Sequence, residues 1–300
     1  MTTYDIHLEG VHAVDLSMAV LRDVAELIVE GASRAARLAV EGRSLARGSA
    51  PSWLAAAAVV RMSKLEEGSL RLAVQARPLA ESVPDLAQQP LFGVRNVDAT
   101  SVDLFMDAME DALAGRRDSE RVDAGMLKLL VDTQNLFGRG ATGLTFSRPG
   151  GKRVSFGRSD VKTFQVLVEA TPDPQVDRIV GVLDSVTLST RTFLVRIDEK
   201  SSLRGLAGSQ TVLETLKGQL GARVVVEGTV AFRASGRPQR IDADFVALAS
   251  DRDSPWARLP RGETRAILTG SASGDLASLF GQWPGTETDQ EVFAALDEIS

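Results

Sequence analysis

Residues 178–188 (RIVGVLDSVTL), 191–198 (RTFLVRID) and 201–206 (SSLRGL) are followed by 209–220 (SQTVLETLKGQL), then by 223–233 (RVVVEGTVAFR) and 238–248 (PQRIDADFVAL). In the first three and last two segments apolar side chains alternate with polar ones, the period of a strand with one buried face. Segment 209–220 instead spaces Val212, Leu213, Leu216 and Leu220 at helical intervals. Three strands, a helix and two strands is the order of an OB-like barrel, whose helix plugs one end of a small five-stranded sheet. Small SH3-like barrels and open meanders share most of this period and stay open as alternatives.

Upstream the pattern is mixed. Tyr4 to Glu9 alternates and predicts a strand, Gly10 a turn, and a helix runs from near Asp15 to Gly42 with Val24, Ala25, Ile28, Ala32, Ala35, Leu38 and Ala39 on one face. Residues 55–65 and 70–76 around Gly68-Ser69 read as a hairpin with one wet face. After a Pro-marked stretch, helices are expected over about 100–114, capped by Thr100 or Ser101, and 120–137. Beyond Gly138 short period-two segments follow at 141–147, 153–158 and 161–169, all read as strands. The expected organisation is therefore α+β: a helix and sheet domain over 1–138, a mainly-β OB-like domain over 139–249, a linker over 250–283, and a tail helix over 284–300.

Composition removes whole classes of chemistry. The chain of 300 residues has no Cys and only two His, His7 and His12. Disulfides, thiolate zinc sites, iron–sulfur clusters and thiol nucleophiles are excluded, and imidazole bases are nearly so. The opening MTTYDIHLEG lacks the basic and apolar regions of a signal peptide, and no apolar run approaches the roughly 20 residues of a membrane span. A cytoplasmic location without membrane contact is the expectation.

Few motifs survive a physical check. Gly138-Arg139-Gly140-Ala141-Thr142-Gly143 matches G-x-G-x-x-G, but it follows a helix and precedes a strand, the reverse of a dinucleotide fingerprint, and reads as a turn. Gly151-Lys152 reads as a hairpin turn. Asp103, Asp107, Glu110 and Asp111 share one helical face and could hold Mg²⁺, yet nothing else supports a metal, and a solvated face accounts for them. No G-x-S-x-G elbow occurs. The chain is expected to be non-enzymatic and to use no cofactor. A nucleic-acid surface would draw on Arg191, Arg196, Arg204 and Phe193 of the barrel, or on Arg233, Arg237 and Arg240 around the Ser235-Gly236 turn. The parity of Phe193 with Val195 and Ile197 assigns Phe193 to the core instead.

The net charge is -6, and residues 284–300 carry five negative charges with no Lys or Arg, so the body is close to neutral. That tail holds a capping box, Thr288-Asp289-Gln290-Glu291, followed by an apolar stripe of Val292, Phe293, Leu296 and Ile299. Before it, Phe280 and Trp283-Pro284 place two large aromatics in a linker, where such side chains normally find a core or a partner. The pattern F-G-x-W-P-G-x-E-T-D-x-E-V-F-x-x-L resembles the C-terminal segments of bacterial antitoxins that pair with PIN-type ribonuclease toxins. The resemblance covers about 20 of the 300 residues. It implies a protein partner held by Phe280, Trp283, Pro284, Val292, Phe293 and Leu296, with Glu287, Asp289 and Glu291 beside them. Thr286 stands where the antitoxin pattern has Asp. The small DNA-binding domain usual in antitoxins is not recognisable in 1–279. The alternative is an OB-like nucleic-acid-binding or regulatory protein whose tail docks on its own body.

Overall fold

The computed structural model describes residues 1–12, 17–46, 48–66, 69–83, 98–199 and 201–250. The expected linker and tail, including every residue of the 280–299 segment, lie outside the described residues.

The first half forms an antiparallel five-stranded sheet. Its strands are β1 (Thr2–His12), β2 (Val60–Glu66), β3 (Ser69–Ala76), β4 (Gly143–Ser147) and β5 (Arg153–Gly157), in the order β2-β3-β1-β4-β5. Tyr4, Ile6 and Leu8 of the central strand alternate inward, and so do Leu70, Leu72 and Val74 of β3. Helices α1 (Met18–Glu41), α2 (Ser52–Ala57), α3 (Leu79–Ser82), α4 (Ser101–Leu113), α5 (Ala124–Asp132), α6 (Gln134–Gly138) and α7 (Val161–Ala170) complete this half. Four of them, α1, α4, α5 and α7, bury apolar stripes in the same core as the sheet. Ser17 caps α1, and Gly42 ends it in the left-handed conformation at φ 72°, where a Cβ would be strained. A full capping box opens α4: Thr100 accepts from Asp103 N–H while Asp103 accepts from Thr100 N–H. The same Thr100 hydroxyl lies 2.6 Å from the Tyr4 phenol, which ties the helix start to the central strand. Burial raises the Tyr4 pKa well above the ordinary phenol value, so the phenol stays protonated and available to that bond.

The second half is a closed five-stranded barrel of β6 (Gln175–Thr187), β7 (Thr192–Arg196), β8 (Ser202–Ala207), β9 (Arg223–Phe232) and β10 (Pro238–Leu248), with α8 (Gln210–Gly218) between β8 and β9. Its neighbours run β10-β8-β7-β6-β9, and β8 and β10 are parallel. Val212, Leu213 and Leu216 of α8 enter the barrel core together with Phe193, Val195, Val224, Val226 and Ile241.

The α+β class holds, with four corrections. Strands β4 and β5 join the sheet of β1 through the β1–β4 and β4–β5 pairs, rather than forming part of the barrel as expected for residues beyond 138. Residues 161–169 form helix α7 rather than a strand, because Val161, Phe164 and Leu167, three apart, supply the buried stripe. Residues 55–57 belong to α2, and the hairpin strand starts only at Val60. The helix expected over 120–137 begins at Ala124, with Asp123 as its N-cap, and divides at Thr133. Within the expected stripes, Ala25 and Leu220 are exposed, and Leu27 is buried in α1 instead. Gly138–Gly143 joins helix to strand, and Gly151-Lys152 sits in the β4–β5 turn, as their spacing implies. Among the described residues no helix is long and apolar enough to cross a membrane.

Candidate functional site

A cleft of about 810 Å³ is walled by α1, α4, the 119–121 loop, the β4–β5 turn and Arg204 of β8. The acidic face of α4 forms one wall. The spacing of Asp103, Asp107 and Asp111 brings these three carboxylates to that wall, with Glu110 next to them on the same helix. The β4–β5 turn, closed by bonds between Arg148 and Lys152 and between Gly151 and Arg148, delivers two cations opposite them. Lys152 Nζ donates to Asp107 at 2.6 Å and also to Glu110, and Arg148 lies 3.4 Å from Asp103. Asp111, nearly fully buried, accepts from Arg116 at 2.6 Å and from the Ser119 hydroxyl at 2.6 Å, with Arg121 at 3.5 Å.

The electrostatics follow this pairing. Burial pulls the Lys152 pKa down, but the bonds and charges of Asp107 and Glu110 outweigh it and leave the pKa raised. The Lys152 hydrogen bond holds Glu110 below the ordinary carboxylate range. Burial lowers the Arg204 pKa on the facing wall, with Glu120 opposing that shift. Each of the four carboxylates already has a cation, so the face is an ion-paired wall rather than a solvated one. Among the described residues no group of three His, Asp or Glu is placed to hold a metal ion.

The candidate cations of the barrel are mostly engaged as well. Arg233 pairs with Asp118 at 3.3 Å and Glu120 at 3.0 Å, and Arg237 with Asp118 at 2.7 Å. Ser235 donates to that Asp118 and takes the Arg117 carbonyl through its backbone N–H. Arg240 grips Asp242 with two bonds of 2.7 and 2.8 Å and donates to the Gly42 carbonyl at 2.9 Å. It thereby places a cation at the C-terminal end of α1, where the helix dipole favours one and α1 has no basic residue in its last turn. Arg196 is exposed, 3.7 Å from Asp184. Arg191 occupies a turn at φ 58°. Phe193 is fully buried in the barrel core, as its parity predicted, and cannot stack on a base from there.

His7 is partly buried on β1, with Nδ1 4.0 Å from Glu9. The structure thus brings Arg233, Arg237 and Ser235 together on one loop, while Arg240, Arg191 and Arg196 stand apart from them. The sequence did not reveal the roles of Arg148, Lys152, Arg116 and Arg121, because their partners lie on other elements or across turns that carry no periodic signal. The tail candidates Phe280, Trp283, Pro284, Glu287, Asp289, Glu291, Val292, Phe293 and Leu296 lie outside the described residues. Compared with known proteins, the chain matches no family model, no curated protein and no solved structure.

Proposed function

We propose that this chain is an antitoxin-like, non-enzymatic binding protein that sequesters a ribonuclease-type toxin through residues 280–299. The observation that carries this reading is the order Phe280, Trp283-Pro284, capping box, and Val292-Phe293-x-x-Leu296 in a segment with five acidic residues and no basic ones. An acidic amphipathic helix of about twelve residues is marginal alone in water and gains its stability from an apolar surface that receives it. The cleft supports a scaffold role for the body, since its carboxylates and cations are committed to one another.

The test is titration of a PIN-type ribonuclease with the full protein and its variants. Trp283→Ala and Phe293→Ala are each expected to weaken binding by about 1–2 kcal/mol while leaving the melting temperature unchanged, as buried aromatic anchors do. Unchanged affinity in both variants overturns the reading.

The barrel carries a second reading, that of an OB-like nucleic-acid-binding protein. Counted from β6, its ring runs first, second, third, fifth, fourth, with the third and fifth strands parallel and the helix between third and fourth. That order supports an OB-like assignment. The engagement of Arg233, Arg237 and Arg240 leaves this reading to Arg191 and Arg196. Absence of single-stranded DNA binding at low salt removes it.

A further inference from the structure

The outer face of the first sheet, turned away from the core, gathers cations along one edge. On β3 the buried side chains are Leu70, Leu72, Val74 and Ala76, so Arg71, Ala73 and Gln75 point outward. Arg77, one residue past the strand, keeps the alternation and is exposed. On the edge strand β2, Arg61 and Lys64 are three apart and would take opposite faces of a regular strand. The register shift between Met62 and Lys64 makes Ser63 an extra residue, so Arg61 falls opposite Gln75 and Lys64 opposite Ala73. Both cations thereby share the outer face with Arg71, and all four are exposed.

Each outward rung of the hairpin then holds one cation: Arg77, Arg61 beside Gln75, Lys64 beside Ala73, and Arg71. Successive outward rungs are about 6.6 Å apart, which makes the row about 20 Å long. That spacing is close to the separation of successive phosphates along an extended single strand. Arg233, Arg237 and Arg240 are tied to carboxylates, whereas Arg61, Arg71 and Arg77 have no ion-pair partner among the described residues. The row is also narrow. The sheet ends at β2 on one side, and on the other the exposed Asp5, opposite Ala73, and Glu9 stand on β1. A line of cations bounded by carboxylates suits one polyanionic chain, while a lipid surface would meet Asp5 and Glu9 across the same plane.

We propose that the outer face of the β2–β3 hairpin binds the phosphate backbone of single-stranded nucleic acid through Arg61, Lys64, Arg71 and Arg77. The contact is indifferent to base sequence, because the three aromatics of this sheet, Tyr4, Phe146 and Phe156, are buried in the core behind it and offer bases no stacking surface. The site is separate from the barrel and from residues 280–299, and it rests on neither reading given above.

Fluorescence anisotropy of a labelled oligothymidylate of about 15 nucleotides, titrated with the full-length chain, tests this. Binding is expected at low salt, with a log–log salt slope of about -3 for four phosphate contacts on a single strand. Arg61→Gln with Arg71→Gln and Arg77→Gln should weaken binding at least about ten-fold and flatten the slope by about 2, with the melting temperature unchanged. The charge-preserving set Arg61→Lys, Arg71→Lys and Arg77→Lys should bind within about three-fold of the parent. Lys128→Gln with Arg158→Gln and Lys162→Gln removes the same charge from exposed positions on α5, the β5–α7 turn and α7, and should cost less than about three-fold. Equal losses in the two glutamine sets overturn the proposal, since binding then follows net charge alone. So does binding that the hairpin set leaves unchanged and Arg191→Gln with Arg196→Gln removes, a result that keeps the barrel reading. Binding to phosphatidylserine vesicles with none to the oligonucleotide overturns it as well.

Discussion

Gly205→Val is expected to destabilise the barrel by about 3 kcal/mol, the upper end of overpacking effects. Gly205 on β8 pairs with Phe193 on β7, and a Cβ at 205 would run into the Phe193 ring. That ring is fully buried within the barrel core, where close packing resists its displacement. Gly218→Ala, at a helix end with nothing within 4 Å of the added carbon, serves as the control. It should be neutral or slightly stabilising, because alanine is the better helix former. Urea denaturation checks both, with the midpoint moving at unchanged slope. Phe193→Ala in the Gly205→Val background should recover part of the loss, as directly packed pairs are non-additive. A Gly205→Val chain as stable as the parent would contradict the register of β7 and β8.

The second large effect is expected at Arg240. Arg240 is 9% exposed; its guanidinium binds Asp242 through two hydrogen bonds and donates to the Gly42 carbonyl at the end of α1. Arg240→Met keeps much of the stem packing but leaves that carbonyl without its donor and Asp242 without its cation. The predicted loss is about 2–3 kcal/mol, below the full penalty for a broken buried pair because Asp242 retains contact with water. Arg240→Lys should recover little, since a single ammonium cannot reproduce the two-pronged grip. Asp242→Asn in the Arg240→Met background should add less than it does alone, and a fully additive double variant would show that the pair is not coupled.

How much of this was legible in the sequence depends on the range of the signal. The five barrel strands and α8 were readable because Gly, Ser and Asp separate runs whose period is local. α7 was misread because Phe164, Val166 and Val168 alternate like a strand, while Val166 and Val168 are in fact solvent-facing and the buried spacing is that of Val161, Phe164 and Leu167. The sheet to which β4 and β5 belong was hidden for another reason. Ile6 pairs with Phe146 across the whole first half of the chain, and a period of two says nothing about which partner a strand chooses. The ion-paired cleft was invisible on the same grounds, because Asp103 and Arg148 are 45 residues apart in sequence. The Arg233–Arg237 turn was found as a basic patch, but its neutralisation by Asp118 and Glu120 depends on tertiary contact. The tail motif was legible because a capping box and its preceding aromatics are both local features.

The central claim, that residues 280–299 serve a partner, is tested most directly by the solvent access of Trp283 in the isolated chain. The protein has three tryptophans, so Trp53→Phe with Trp256→Phe leaves Trp283 as the only indole emitter. Acrylamide quenching then reports its exposure. Quenching close to that of free tryptophan is expected in the isolated chain, falling sharply when the ribonuclease partner is added, because only binding supplies the apolar surface that orders the helix. Strong protection of Trp283 in the isolated chain, unchanged by the partner, would show that the tail docks on its own body and would contradict the account.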